Sequence, residues 1–269
     1  MQNSSLVCPQ QNRFSHALRQ AMRTRIPFGR QEFAVEVDAP RLRYINIRGD
    51  QSYRFVAKNL SSLFMVDIDT NFYVVPGTSL LIKKGIILNF LSGISNVRHM
   101  IISQPTLQAL SPYLEQGPIF KFRNLSRLEA SFCTVLLQVL PNFLYSFPNL
   151  KHLTLYLVYL EDLQPHDLEL IIVPWCLLFN LEFFEIKEVI TVKKVGTKRG
   201  RNGQRNVLKH KKMIWIETVR YILENSLVLK KLILCFSPIT NKALDISNEL
   251  LTFKKRSERC EIFIRLTSR

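Results

Sequence analysis

The sequence predicts an α/β fold, an irregular leucine-rich-repeat solenoid closed by a C-terminal unit of helix and strand. Three observations carry this. Seven short apolar units resembling L-x-x-L-x-L recur between residues 42 and 234. Helix-capable segments lie between them. No single unit can bury its own apolar face, so neighbours must stack.

In chain order, Phe33, Val35 and Val37 alternate as a strand that Asp38-Ala39-Pro40 ends. The units then follow. They are Leu42, Ile45, Ile47; Leu60, Leu63, Val66, Ile68; Ile94, Val97, Met100, Ile102; Leu125, Leu128, Ala130; Phe147, Leu150, Leu153, Leu155; Leu178, Leu181, Phe184, Ile186; and Leu229, Leu232, Leu234. In each, the last two apolar residues alternate on a short strand with both side chains inward, and an earlier one anchors the turn into it. The intervals between corresponding residues are 21, 34, 28, 25, 31 and 48, too uneven for a uniform horseshoe. Residues 80–91 and 135–145 are the clearest helices between strands. Glu217–Leu234 reads as helix, turn and buried strand, with Val219, Ile222 and Leu223 on one helical face. A second helix is expected around Asn241–Phe253 and a last strand at Cys260–Ile264.

Composition narrows the function. Of 269 residues, 47% are apolar, enough for a sizeable core. The net charge of +16 is localised: residues 1–30 hold Arg13, Arg19, Arg23, Arg25 and Arg30 with no acid, and 193–212 holds nine cations with no acid. The remainder is nearly neutral, so polyanion attraction belongs to two segments. Residues 1–34 read as a basic, disordered tail, in which His16–Arg25 has the makings of a short helix. The five cysteines (Cys8, Cys133, Cys176, Cys235, Cys260) form no C-x-x-C pair, which points to reduced thiols and a cytoplasmic or nuclear setting. No signal peptide is legible. The longest apolar run, Leu170–Leu181, is shorter than the ~20 residues a bilayer needs and reads as core.

Catalytic patterns are missing: there is no G-x-S-x-G, no P-loop and no H-E-x-x-H, and His99, His152 and His166 stand apart from any nucleophile setting. Asp67 and Asp69 share one face of a strand end but lack a third ligand, so they read as solvated rather than metal-binding. Trp175 and Trp215 flank the basic stretch, and packing is favoured over stacking on bases. No cofactor and no enzymatic activity are expected.

Several segments resemble a known family. VPWCLLFNLEFFEIKEV (173–189), VRYILENSLVLKKLIL (219–234) and ELLTFKKRSERCEIFI (249–264) resemble the FBD domain of plant F-box proteins. DAPRLRYINIRGD (38–50), FVAKNLSSLFMVDID (55–69), ISNVRHMIIS (94–103), FRNLSRLEASF (122–132) and FPNLKHLTL (147–155) resemble the repeat region that precedes FBD in the F-box/FBD/LRR family. The resemblance covers about residues 35–266. It implies an irregular LRR-like region at 35–170 and an FBD-type α/β cap at 171–269, interrupted by the basic insertion 193–212. It further implies a non-enzymatic substrate-recognition subunit of an SCF-type ubiquitin ligase, binding a target protein. An F-box would dock on a Skp-type adaptor; residues 1–34 lack its leucine- and proline-initiated helical motif, so docking is expected only with an F-box upstream.

The expected protein-binding surface consists of exposed residues beside the buried strand positions: Arg43, Tyr44, Asn46, Arg98, His99, Lys151, His152, Thr154, Glu182, Phe183 and Glu185. The basic stretch (Lys193, Lys194, Lys198, Arg199, Arg201, Arg205, Lys209, Lys211, Lys212) reads as a loop, a nuclear-localisation-like signal or a polyanion contact. A nucleic-acid-binding protein acting through this stretch and the arginine-rich tail is the less favoured alternative; a membrane partner is not expected.

Overall fold

Eight parallel strands, placed side by side in the order in which the chain makes them, form the main sheet. The computed structural model describes residues 22–25, 34–49, 54–72, 77, 79–158, 168–189, 214–236, 249 and 252–266. The strands are β3 (Tyr44–Arg48), β5 (Met65–Asp69), β6 (His99–Ile102), β7 (Arg127–Cys133), β8 (His152–Val158), β9 (Phe183–Val189), β10 (Lys231–Phe236) and β11 (Glu261–Leu266). A second sheet of three strands contains β1 (Met22–Arg25), β2 (Ala34–Asp38) and β4 (Arg54–Lys58); β2 pairs antiparallel with β1 and parallel with β4.

The period-2 reading explains the main sheet. Two apolar rungs cross it in register: Ile45, Val66, Met100, Leu128, Leu153, Phe184, Leu232 and Ile262 in one, Ile47, Ile68, Ile102, Ala130, Leu155, Ile186, Leu234 and Ile264 in the next. From Val66 to Leu234 every member of both rungs is buried. The anchors Leu63, Val97, Leu125, Leu150, Leu181 and Leu229 are buried too, in one continuous core. The weakest unit in the sequence, Leu125-Leu128-Ala130, is wholly inaccessible. Its small Ala130 is accommodated beside Phe132, which packs edge-on to Phe143; Phe143 meets Phe147, and Phe147 stacks on Phe122.

The backbone locks the register. Before β3 and before each of β5 to β9, the preceding carbonyl accepts two amides from the next unit, and Lys230 O, before β10, accepts one, from Glu261. Arg43 O takes Phe64 and Met65 N–H at 2.9 and 3.0 Å, and Lys151 O takes Glu182 and Phe183 N–H at 2.9 and 3.0 Å. Asparagines in these turns add a further stitch: Asn149 Nδ2 donates to Arg123 O and Asn180 Nδ2 to Pro148 O, both at 2.8 Å.

Helices connect the strands. α1 (Leu80–Gly93) contains the predicted 80–91 helix and is capped by Ser79 Oγ, which accepts from Ile82 N–H. α2 (Gln104–Leu114) was not among the expected helices because Pro105 and Pro112 mask it. Pro105 occupies the first turn, where its missing N–H is not needed. Pro112 leaves Gln108 O without its helical amide, and Ser111 Oγ donates to that carbonyl at 3.0 Å. The 135–145 segment is a 3₁₀ turn, Thr134–Val139, running into α3 (Leu140–Leu144). α4 (Trp175–Phe179) precedes β9. α5 (214–225) precedes β10 and buries Val219, Ile222 and Leu223, as the spacing predicts.

Three expectations need correction. Residues 22–25, read as part of a basic helix within a disordered tail, form β1; they lack an apolar helical stripe, and pairing with β2 decides their conformation. β4 was not anticipated; it joins β2 and packs against α1, away from the main sheet. The run Leu170–Leu181 is only partly core: Cys176, Leu177 and Leu181 are buried, whereas Ile171, Trp175 and Phe179 are exposed. Of the helix expected at 241–253, Glu249 is helical, Thr252 lies in a turn and Phe253 in a bend, while the rest falls outside the described residues. The main sheet continues from β8 to β9 across the 170/171 boundary drawn from sequence.

Candidate interaction surface

Alternation places every second strand residue on the face of the main sheet opposite the core. Three rungs result. The first holds Tyr44, Met65, His99, Arg127, His152, Phe183, Lys231 and Glu261; the second Asn46, Asp67, Ile101, Glu129, Thr154, Glu185, Ile233 and Phe263. The third includes Arg48, Asp69, Ser131, Tyr156, Lys187, Cys235 and Arg265.

The residues expected at the surface divide into two groups. Tyr44, His99, His152 and Phe183 share the first rung, and Asn46, Thr154 and Glu185 the second. Arg43, Arg98, Lys151 and Glu182 precede the strands and form a rim along their N-terminal ends. Arg43, Arg98 and Lys151 are exposed; Glu182 is half-buried between two lysines, with Lys230 Nζ at 2.6 Å and Lys151 Nζ at 3.7 Å. The Lys230 bond leads in holding its carboxyl below the ordinary range. Thr154 departs from expectation: it is buried, a short side chain flanked in register by Glu129 and Glu185.

The middle of the face is organised by a residue the sequence reading did not select. Glu129 Oε1 accepts from His99 Nε2 at 3.1 Å and faces Arg127 Nη2 at 3.2 Å; its Oε2 accepts from Tyr156 Oη at 2.9 Å. These partners, the His99 bond foremost, hold the Glu129 carboxyl down at about 2 despite the opposing effect of burial. Burial, and then the bond to Glu129, push the Tyr156 phenol up. Arg127, Glu129 and Tyr156 were legible in principle: they alternate with Leu128, Ala130 and Leu155, but the weak fourth unit hid the first two.

Flanking groups are likewise paired. His152 stacks flat on Phe183, with ring centroids 4.5 Å apart, and burial followed by Arg127 lowers its pKa. Lys187 bridges to Glu185 at 3.0 Å and lies over the Tyr156 ring; burial is the largest influence and opposes its charge, but the Glu185 bond together with the charges of Tyr156, Glu185 and Cys235 outweighs it and the pKa rises. Cys235 Sγ donates to Glu185 at 3.5 Å, and burial pushes that thiol up to about 11. At the other end Asn46 Nδ2 donates to Asp67 at 2.7 Å, with Arg48 3.5 Å from the same carboxylate.

Among the described residues no cluster of three or more His, Cys, Asp or Glu side chains could hold a metal ion, and no helix is long and apolar enough to cross a membrane. The described cysteines are free and buried, and burial pushes Cys176 up to about 12. Trp215 is buried and stacks on Phe236 at 4.6 Å, whereas Trp175 is 60% exposed and stacks on Phe179. The basic stretch Lys193–Lys212 lies outside the described residues.

Sequence comparison decides the ancestry. An F-box/FBD/LRR-repeat protein of Arabidopsis thaliana is 45% identical over 239 residues, covering 86% of this chain and 49% of the relative. A second one is 43% identical over 248 residues, 88% of this chain and 49% of the relative. The chain is homologous to the plant F-box/FBD/LRR-repeat family. An FBD-associated F-box protein of the same plant is 38% identical over 248 residues, 90% of this chain and 49% of that protein. The chain thus spans about half the length of these relatives. No family model matches the chain, and no solved structure matches it.

Proposed function

We propose that this chain is the target-recognition portion of an F-box/FBD/LRR-type receptor: a leucine-rich-repeat solenoid with an FBD-type cap that binds a protein and performs no chemistry itself. The observation that carries this reading is the sheet face of three mainly polar rungs, backed by two fully apolar ones. Eight stacked strands carry that pattern in one register, which gives a rigid surface whose residues can vary without disturbing the core. The relatives' names support the family role. Through an F-box such a receptor would join a Skp-type adaptor and present its target for ubiquitylation, in the cytoplasm or nucleus. Adaptor docking depends on an F-box that residues 1–34 do not display.

A photo-crosslinking residue placed at Tyr156, on the polar face, and separately at Gln108, exposed on α2, tests this reading. In plant extract the Tyr156 position should trap discrete proteins that the Gln108 position does not, and those proteins should accumulate when the proteasome is inhibited. Indistinguishable adducts from both positions would rule out the polar face as the recognition surface. Independently, the chain alone should fail to co-purify with a Skp-type adaptor; stoichiometric recovery would show that a docking element had been overlooked.

A further inference from the structure

β11 is the last strand of the main sheet, and among the described residues it pairs only with β10. Its apolar side chains are poorly covered. Phe263 is 37%, Ile264 40% and Leu266 62% exposed, although Ile264 continues a rung whose preceding members Ile186 and Leu234 are inaccessible. Such an edge presents a row of backbone donors and acceptors to any strand that fits.

Natural sheets blunt such edges with proline, a bulge or a run of like charge. Residues 261–265 have none of these. They read acid, aliphatic, aromatic, aliphatic, base: Glu261, Ile262, Phe263, Ile264, Arg265. The order is self-complementary about Phe263. Glu261 and Arg265 are in no salt bridge among the described residues, Lys231 Nζ lies 4.3 Å from the Phe263 ring centre on the β10 side, and Phe263 remains 37% exposed.

We propose that β11 is a homodimerisation strand, pairing antiparallel with β11 of a second copy about a two-fold axis through Phe263. A two-fold axis perpendicular to the sheet keeps the polar faces of both copies on one side. It therefore permits only registers in which residues of the same face oppose each other. With the axis at Phe263, Glu261 opposes Arg265 of the second copy twice, Ile262 opposes Ile264 twice, and the two Phe263 rings meet. Shifting the axis to Ile264 sets Arg265 against Phe263, and shifting it to Ile262 sets Glu261 against Phe263. Only the Phe263 register pairs both charges and keeps aliphatic against aliphatic, the arrangement that stabilises cross-strand neighbours. The result is one sheet of sixteen strands carrying two recognition faces. A target with two binding segments would engage both, with the gain in avidity that follows from linkage.

Sedimentation equilibrium of the intact chain up to about 100 μM tests this, a range in which a single strand-pair interface is expected to be measurable. The wild type should show a monomer–dimer equilibrium. Glu261→Arg and Arg265→Glu, each creating two like-charge pairs per dimer, should weaken dimerisation at least about tenfold. The double variant restores opposite charges and should return to near the wild-type constant. Phe263→Cys, treated with a mild added oxidant such as copper–phenanthroline in air, should form a disulfide-linked dimer, because the two-fold brings its own copies opposite. All three positions are exposed on the edge strand, so unchanged thermal midpoints will verify folding. A wild type monomeric throughout, single variants that dimerise as the wild type does, or a double variant weaker than either single overturns the proposal. An edge that instead captures a strand of another protein would appear as the first of these outcomes.

Discussion

Glu129→Gln removes one negative charge from the centre of the polar face while keeping its shape, and its cost can be worked from the site. The carboxyl is held at about 2 against an ordinary 4.5. The difference corresponds to about 3 kcal/mol between folded and unfolded chains at neutral pH. Arg127 is more than half exposed, so solvent screens its share, and about 2 kcal/mol is the reasonable expectation. The sign follows from the direction of the shift. Because the folded state depresses the pKa, the stabilisation is complete above the unfolded value of 4.5 and is lost as pH falls toward about 2. Urea unfolding at pH 7 should place the variant about 2 kcal/mol below the wild type with an unchanged slope. At pH 3 the gap should shrink to less than half that value, because the unfolded wild-type carboxyl is then largely protonated and must give up its proton on folding, while the folded carboxylate is still mostly ionised. Tyr156→Phe, which removes one neutral donor, should lower stability by less than Glu129→Gln and be nearly silent when added to it. Equal midpoints for Glu129→Gln and wild type at both pH values would mean that the carboxylate is solvated and the cluster energetically inert.

Three further perturbations separate the layers of the fold. Thr106→Val should cost about 1–3 kcal/mol in chemical denaturation, since buried Thr106 Oγ1 accepts from Thr70 N–H at 2.9 Å and donates to Ile68 O, and the amide would lose its partner. Leu232→Asp should cost more than about 4 kcal/mol, because Leu232 is inaccessible between Phe184 and Ile262 and an aspartate there would be an unpaired buried charge; near-wild-type protection of the β9–β11 amides in hydrogen exchange would contradict the placement. Asn180→Ala should cost about 1 kcal/mol by loss of the 2.8 Å bond to Pro148 O, read as a lowered thermal midpoint without loss of the sheet's circular dichroism.

What the sequence disclosed, and what it did not, follows from the range of the interactions involved. The strands were legible because each carries its own period-2 signal; even the weak Leu128–Ala130 pair marked β7. The helix at 104–114 was hidden because Pro105 and Pro112 are read as breakers, and the capping Ser103 and compensating Ser111 matter only once the helix exists. β1 and β4 were hidden for a different reason: their strand character comes from pairing in a small second sheet, a non-local fact. The polar face was read from the strong units alone. Tyr44, His99, His152 and Phe183 were picked out, but Arg127, Glu129 and Tyr156, which form a network with His99, were not. A consistent rule, taking each residue next to a buried strand position in all units, would have found them. Asn96, Asn124, Asn149 and Asn180 each precede the anchor residue of their unit, a further repeat signal that the apolar pattern alone does not use.

The alternation of the strands sets how freely such a surface can change. Inward rungs carry the stability and outward rungs the chemistry, on adjacent residues of the same strand, so most outward substitutions leave the core untouched. Arg43 and Arg98 on the rim are in no salt bridge among the described residues; their charge is available to a partner at no loss of an internal contact. Glu129 is the exception. Its carboxylate ties β6, β7 and β8 together through His99, Arg127 and Tyr156, so an outward residue here also supports the fold. A partner that draws Arg127 or His99 away from Glu129 must replace what it removes, since an abandoned, half-buried carboxylate is costly. Binding at the centre of the face therefore favours a ligand that brings its own hydrogen-bond donor to Glu129, whereas binding at the rim favours a ligand that brings acids to Arg43 and Arg98.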